Sequence, residues 1–102
     1  MMPATSPKKV HITDDQGQVD DSQVKVSKRA ADQVTWFAFG AAGATVEFSS
    51  PDGSPFAESV FYVPATGSVT SGPAKTNIAN KSYKYTVFGA AGSTDPAVII
   101  DN

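Results

Sequence analysis

Short runs of alternating apolar and polar residues recur along the chain and are separated by clusters rich in glycine and proline. Alternation sends successive side chains to opposite faces, which is typical of half-buried β-strands. No longer window keeps the 3.6-residue apolar period, and only residues 28–33 and 74–80 leave room for a single helical turn. The strand-like runs cover residues 10–13, 23–27, 33–39, 45–48, 59–63, 67–71, 82–88 and 97–100.

This pattern predicts an all-β Greek-key sandwich of seven to eight strands. One face of each run should then supply the core. Val34, Trp36 and Ala38 share one such face, and Tyr83, Tyr85 and Val87 share another. The predicted core is Val10, Ile12, Val24, Val26, Val34, Trp36, Val46, Phe48, Phe61, Val63, Tyr83, Tyr85, Val87, Val98 and Ile100.

The chain of 102 residues has the length of one domain. Residues 1–8 are rich in Pro and Ser and are predicted to form a disordered tail, with the domain spanning residues 9–102. The first residues contain no apolar signal-peptide core, so we expect a cytoplasmic protein if the chain is complete and an exported one if a leader was removed. No run of apolar residues has the length of a membrane span, so no membrane partner is expected.

Charge and residue usage narrow the classes of function further. The net charge is −2, and Arg29 is the one arginine, so we expect no nucleic-acid partner. The chain has no cysteine, so a disulfide, a thiolate nucleophile or an iron–sulfur cluster is ruled out.

Three segments resemble the cupredoxins, the family of blue-copper Greek-key proteins. The segment from Val26 to Trp36 is similar to the family's V-x-x-G-D-x-V-x-W sequence, with Ala31 in place of the usual glycine. Residues 83–87 are similar to its Y-x-Y-x-C strand, and residues 98–100 to its closing strand. The resemblance covers about residues 9–101 and implies a cupredoxin-like fold.

The resemblance also implies where copper ligands would stand. The family's first His falls on Ala44, its Cys on Val87 and its second His on Ala90, while the axial Met would lie among residues 93–95. None of these positions carries the residue that binds copper in the family. A blue-copper site needs a thiolate and two imidazoles, and this chain has no thiol and only His11. We therefore expect no metal cofactor and no electron transfer through such a site.

One pentapeptide, Phe-Gly-Ala-Ala-Gly, occurs twice, each time directly after a strand-like run. The family layout brings these two loops together at the end where the metal would lie. Either the phenylalanines close the core above permissive turns, or the loops form a flat apolar surface for a partner, or the repetition is coincidental. The candidate interaction surface is Phe39, Gly40, Ala41, Ala42, Gly43, Phe88, Gly89, Ala90, Ala91 and Gly92.

Other chemistries receive less support. The acidic residues Asp14, Asp15, Asp20 and Asp21 do not match the spacing of a calcium loop, so a solvated acidic loop is the preferred interpretation. A catalytic triad would depend on His11, and no nucleophile elbow occurs.

A carboxylate pair from Glu47 and Glu58 would need both side chains to leave the solvent-facing side of their strands. We therefore predict that the protein is not an enzyme.

The leading hypothesis is a non-catalytic, metal-free domain with a structural or protein-interaction role, through a protein partner or self-association. The alternative is a small-ligand or carbohydrate-binding module that uses exposed aromatic residues. Outward-pointing Phe39 and Phe88 would favour the first hypothesis. Exposure of Phe61 or Tyr62 in a groove would favour the second, whereas Tyr83 and Tyr85 are expected in the core.

Overall fold

The structure is a computed structural model that describes residues 8–49 and 51–101, and these ranges contain ten β-strands and no helix. The predicted all-β class is therefore confirmed. The strands are β1 (Lys8–His11), β2 (Gln23–Ser27), β3 (Val34–Phe37), β4 (Ala44–Glu47), β5 (Val60–Val63), β6 (Ser68–Thr70), β7 (Ser82–Lys84), β8 (Thr86–Phe88), β9 (Ser93–Thr94) and β10 (Ala97–Asp101).

A long hairpin joins two of the three sheets. The sheets β2-β10-β7 and β5-β4-β8-β9 both contain part of this hairpin. Its two arms keep a single register, because Lys84 pairs with Ala97 in the first sheet and Val87 pairs with Thr94 in the second. Between these ladders the Tyr85 N–H donates to the Pro96 carbonyl over 2.9 Å. Pro96 has no N–H with which to return the bond, so the ladder is interrupted there. The predicted strand 82–88 is thus one run that passes through both sheets.

The third sheet has the order β1-β3-β6, with β1 parallel to β3. Side chains from all three sheets meet in one hydrophobic core around Trp36, which is fully buried. Every residue of the predicted core is buried. The core also contains Phe56 and the small side chains of Ala44 and Ala74, which the alternation did not single out.

Some predicted boundaries differ from the structure. Residues 1–7 of the predicted tail lie outside the described residues, and Lys8 already belongs to β1, where it pairs with Val34. The segments 28–33 and 74–80 form turns and extended chain in place of helical turns. The two-residue β9 was not predicted, because it is too short to show alternation. No helix in the described ranges has the length and apolar character to cross a membrane.

The turn before β3 holds a strained alanine. Ala31 has φ of 55°, in the left-handed region that favours glycine. The next residue, Asp32, is buried, and its carboxylate accepts the Ser27 N–H over 3.0 Å. The Lys8 ammonium lies 3.9 Å from the same carboxylate. The Asp32 carboxylate therefore attaches this turn to the end of β2 and fixes the point at which β3 begins.

Candidate functional site

Both copies of the pentapeptide lie at one end of the same sheet, called here the loop end and defined by residues 39–43 and 88–92. Strand β4 begins at Ala44, directly after the first copy, and Thr45 pairs with Phe88, the first residue of the second copy. Strands β4 and β8 are antiparallel, so the start of one lies beside the end of the other. The sheet register therefore brings the two loops side by side.

The two loops have the same sequence but different backbones. In the first, the Ala42 N–H donates to the Phe39 carbonyl over 3.1 Å, and Gly40 has φ of 55°. In the second, the Gly89 N–H donates to the Gly92 carbonyl over 2.7 Å, and neither glycine has positive φ. The first loop is a tight turn, whereas the second continues the β8–β9 ladder by one more pair.

A neighbouring turn, residues 14–17, packs main chain to main chain on the second loop. The Ala91 N–H donates to the Asp15 carbonyl over 2.7 Å, and the Thr94 hydroxyl donates to the Gly17 carbonyl. A Cβ on Gly89 would collide with the Asp15 carbonyl oxygen, and a Cβ on Gly17 with the Val87 carbonyl oxygen. Glycine is therefore required at both places for close approach.

The phenylalanines of both copies point outward. Phe39 is 45% exposed and Phe88 is 44% exposed, so neither closes the core. Two further apolar side chains on β5 are also exposed, Tyr62 at 64% and Val60 at 52%. On the outer face of the sheet Thr45 pairs with Tyr62 on one side and with Phe88 on the other. Apolar surface therefore continues from the loop end onto β5, which the repeated motif gave no means of finding.

The positions that resemblance assigns to copper ligands lie together at this end. Ala44 and Val87 are buried, while Ala90 is exposed in the second loop. Ala44 and Val87 belong to neighbouring strands, in diagonal positions on the inner face. Their side chains contain only carbon and hydrogen. The residues present therefore do not fit a blue-copper ion, which needs sulfur and nitrogen donors.

The acidic loop between β1 and β2 uses two of its carboxylates, those of Asp14 and Asp21, as acceptors for nearby backbone N–H groups. The Asp14 carboxylate accepts the N–H groups of Gln16 and Gln18, and that of Asp21 accepts the Gln23 N–H. No group of three or more His, Cys, Asp or Glu residues with metal-binding geometry occurs within residues 8–49 and 51–101. Such Asx turns account for the acidic loop between β1 and β2.

His11 lies beside Asp20, on the outer side of β1. Its Nδ1 is 3.0 Å from an Asp20 carboxylate oxygen, and its ring stacks on Phe37 with centroids 4.7 Å apart. Partial burial raises the pKa of Asp20, but hydrogen bonds from the His11 backbone and ring outweigh it, so the net shift is downward. The pair is thus a surface interaction and no part of the loop end.

Two of the best-formed hollows in the described surface do not lie among the exposed aromatic residues. The first has a volume of about 200 Å³ and is lined by Ser49, Lys84, Tyr85, Thr86 and Asp95. The second, of about 330 Å³, is lined by Lys8, Lys9, Asp21, Gln23, Val24 and Lys25. Of the four aromatics considered for ligand stacking, Phe61, Tyr83 and Tyr85 are buried and Tyr62 alone is exposed.

The known proteins that this chain matches are matched by their structures and not by their sequences. No family model and no curated protein matches the sequence. Among solved structures, a reduced amicyanin with a proline-to-phenylalanine substitution matches with TM-score 0.61 and 15% identity, covering 93% of this chain and 82% of that one. The reduced Cu(I) form at pH 4 of an amicyanin with a proline-to-glycine substitution matches with TM-score 0.61 and 18% identity, covering 97% and 86%.

A third match, oxidized amicyanin with a methionine-to-lysine substitution, has TM-score 0.59 and 17% identity and covers 93% of this chain and 82% of that one. Likeness at this identity reports the fold and leaves the function open. It agrees with the three segments that resemble cupredoxins. The chain therefore has the cupredoxin-like fold, with alanine or valine at Ala44, Val87 and Ala90, where the resemblance places the copper-binding His, Cys and His.

Proposed function

We propose that this protein is a non-catalytic interaction domain whose contact surface is the loop end. The observation that carries the proposal is the outward position of Phe39 and Phe88, which are 45% and 44% exposed at the same end of one sheet. Exposed apolar side chains gathered at one place on a small domain often mark an interface. The small residues between the phenylalanines would let a partner approach the main chain closely.

The electrostatics of this surface also support a protein partner. Residues 39–43 and 88–92 carry no charged side chain. Depletion of charge with aromatic enrichment is characteristic of interface centres. A non-catalytic role agrees with the positions of Glu47 and Glu58, the candidate carboxylate pair. Glu47 lies on β4 and Glu58 in a loop, and neither residue lines either of the two hollows.

The alternative, a small-ligand or carbohydrate-binding module, receives less support. It needs aromatic faces exposed in a groove, and Tyr62 is the one member of its proposed set that is exposed among the described residues. Tyr62 lines neither hollow.

The test is affinity capture from the source organism's extract, followed by NMR mapping of the purified binder onto the labelled domain. We expect amide shifts concentrated at residues 39–43 and 88–92, and loss of capture by the double variant Phe39→Gln, Phe88→Gln. Ser82→Gln is the control, because it changes an exposed side chain on β7, which belongs to a different sheet from the loop end. Shifts that cluster at either hollow, or equal capture by all variants, would reject the proposal.

A further inference from the structure

The loop between β4 and β5 carries the sequence Asp52–Gly53, the one place in the chain where an aspartate precedes a glycine. Residues 51 and 52 form a turn and are exposed. Gly53 has φ of 73°, and a Cβ built on it would meet nothing within 4 Å. An exposed carboxylate is therefore followed by a peptide nitrogen that no side chain crowds.

This arrangement allows the Asp52 carboxyl to react with its own chain. The Gly53 nitrogen attacks Cγ of the protonated carboxyl, so that the N–Cγ bond forms, a C–O bond breaks, and the hydroxyl leaves as water with the N–H proton. Attack within one residue is effective because the two groups are already adjacent. Water then opens the resulting succinimide, its hydroxyl going to a ring carbonyl carbon and its proton to the nitrogen. Opening at the main-chain carbonyl of Asp52 gives isoaspartate, and opening at Cγ restores aspartate.

The other aspartates lack this combination of features. Each is followed by a residue with a side chain, which crowds the attacking nitrogen. Asp95 precedes Pro96, whose nitrogen has no hydrogen to lose. The carboxylates of Asp21 and Asp32 accept main-chain N–H groups, and Asp32 is also buried. Asp52 is thus the aspartate whose surroundings resist the reaction least.

An ion pair restrains the Asp52 side chain. The Lys81 Nζ lies 2.6 Å from Oδ1 of Asp52 and joins the turn to the chain just before β7. The succinimide carries no charge, so its formation gives up this ion pair. The side chains of Asp52 and Lys81 are 47% and 46% exposed, so the pair stabilises the aspartate only modestly.

We propose that Asp52–Gly53 is a site of spontaneous modification, where aspartate isomerises to isoaspartate at a rate restrained by Lys81. The product lengthens the main chain by one methylene and carries its carboxylate on Cα. It is therefore a substrate for methyltransferases that esterify isoaspartyl carboxylates with S-adenosylmethionine. The turn follows the end of β4, whereas the loop end precedes its start, so this inference and the proposed function stand or fall separately.

Prolonged incubation of the folded protein, followed by labelling with such a methyltransferase and by peptide mapping, tests the site. We expect label to accumulate at residue 52 with no change in peptide mass before labelling, because isomerisation neither adds nor removes atoms. Asp52→Glu keeps the charge and should abolish the label, and Gly53→Ala should slow its accumulation about tenfold, because a Cβ crowds the nitrogen. Label at another aspartate, equal label in Asp52→Glu, or none in the wild type would overturn the proposal.

The same assay measures the restraint by Lys81. Lys81→Gln should accelerate isomerisation about two- to fivefold, because it removes an ion pair that stabilises the aspartate and not the neutral ring. Lys84→Gln is the matched control, since it neutralises an exposed lysine on β7 that forms no ion pair with Asp52. Equal rates in the wild type and Lys81→Gln, or equal acceleration by Lys84→Gln, would overturn the role assigned to Lys81.

Discussion

The Trp36 indole N–H donates a hydrogen bond to the Tyr85 phenol oxygen over 3.2 Å, at the centre of the core. The rings meet edge to face, with centroids 5.6 Å apart and planes inclined at 70°. Trp36 belongs to the sheet β1-β3-β6, and Tyr85 lies on the long hairpin of the other sheets. The bond therefore links the sheet β1-β3-β6 to the long hairpin through two buried side chains.

Tyr85→Phe should remove the acceptor and leave the Trp36 N–H buried without a partner. A buried unsatisfied donor costs about 1–3 kcal/mol, and we expect the free energy of unfolding to fall by about that amount. Chemical denaturation measures it. Tyr83→Phe is the control, because its hydroxyl donates to the carbonyl of exposed Ala79, which water can reach. A loss no larger for Tyr85→Phe than for Tyr83→Phe would contradict this account.

The same phenol predicts behaviour at high pH. Burial raises the pKa of Tyr85 from 10.0 to about 12, and the Trp36 hydrogen bond lowers it only in part. The folded state thus holds the proton more tightly than the unfolded state. Its contribution to stability is complete below pH 10 and is lost as the pH rises through about 12. Absorbance at 295 nm should show one late tyrosine titration that is missing in Tyr85→Phe; an unchanged curve would refute the assignment.

Ala31→Gly should stabilise the protein. An alanine at φ of 55° bears a left-handed strain of about 1–2 kcal/mol. Glycine relieves it, at an entropic cost in the unfolded chain of about 0.4–1 kcal/mol. We expect a net gain of about 0.5–1 kcal/mol and a rise in Tm of a few degrees by calorimetry.

The neighbouring change Ala30→Gly is the control for this prediction. Ala30 is not among the residues with positive φ, so glycine brings only the entropic cost there and should lower the Tm. A Tm that falls in both variants would show that the turn is not strained at Ala31.

Asp20 should make the fold sensitive to acid. Its pKa lies below the ordinary value of 3.8, because the His11 hydrogen bonds outweigh the desolvation that raises it. A depressed pKa contributes stability above the unfolded value, and this is lost as the pH falls through the folded value. Asp20→Asn should therefore weaken the decline in Tm below about pH 4. The pair is largely exposed, so the effect should be small; identical acid profiles would exclude it.

Copper provides a test of the ligand positions. Wild-type protein with stoichiometric copper should show no thiolate absorption and no appreciable rise in Tm, since the chain lacks a thiol. The triple variant Ala44→His, Val87→Cys, Ala90→His should bind copper with an intense visible band. A folded triple variant without that band would show that the three positions do not converge. A large Tm shift of the wild type would reveal a different site.

The sequence predicted the parts of the fold that depend on alternation and missed those that depend on single backbone groups. Val46, Val87 and their partners were placed in the core because their faces are set by period two. The division of strand 82–88 follows from the missing N–H of Pro96, across the sheet and outside the strand itself. No pattern within residues 82–88 encodes it.

The candidate site was predictable to a similar extent. Repetition of one pentapeptide pointed to the loop end, and the register places both copies there. Alternation with Phe61 and Val63 inward leaves Val60 and Tyr62 on the outer face, but the sequence did not show that this strand lies at the edge of its sheet. The exposed face of an edge strand becomes visible only once its neighbours are known.

The two loops share one sequence, but the turn of residues 14–17 packs on the second loop. The two loops should therefore differ in how well they tolerate changes of sequence. Gly89 cannot gain a side chain without displacing Asp15, whereas nothing surrounds the Cβ direction of Gly40. Insertions and grafted segments should consequently be accepted between Gly40 and Ala42, short of Gly43, whose Cβ direction is crowded by Tyr62 and Val63, and refused between Phe88 and Gly92. A foreign peptide displayed on this domain should therefore be inserted in the first loop, and the second loop should be left unchanged.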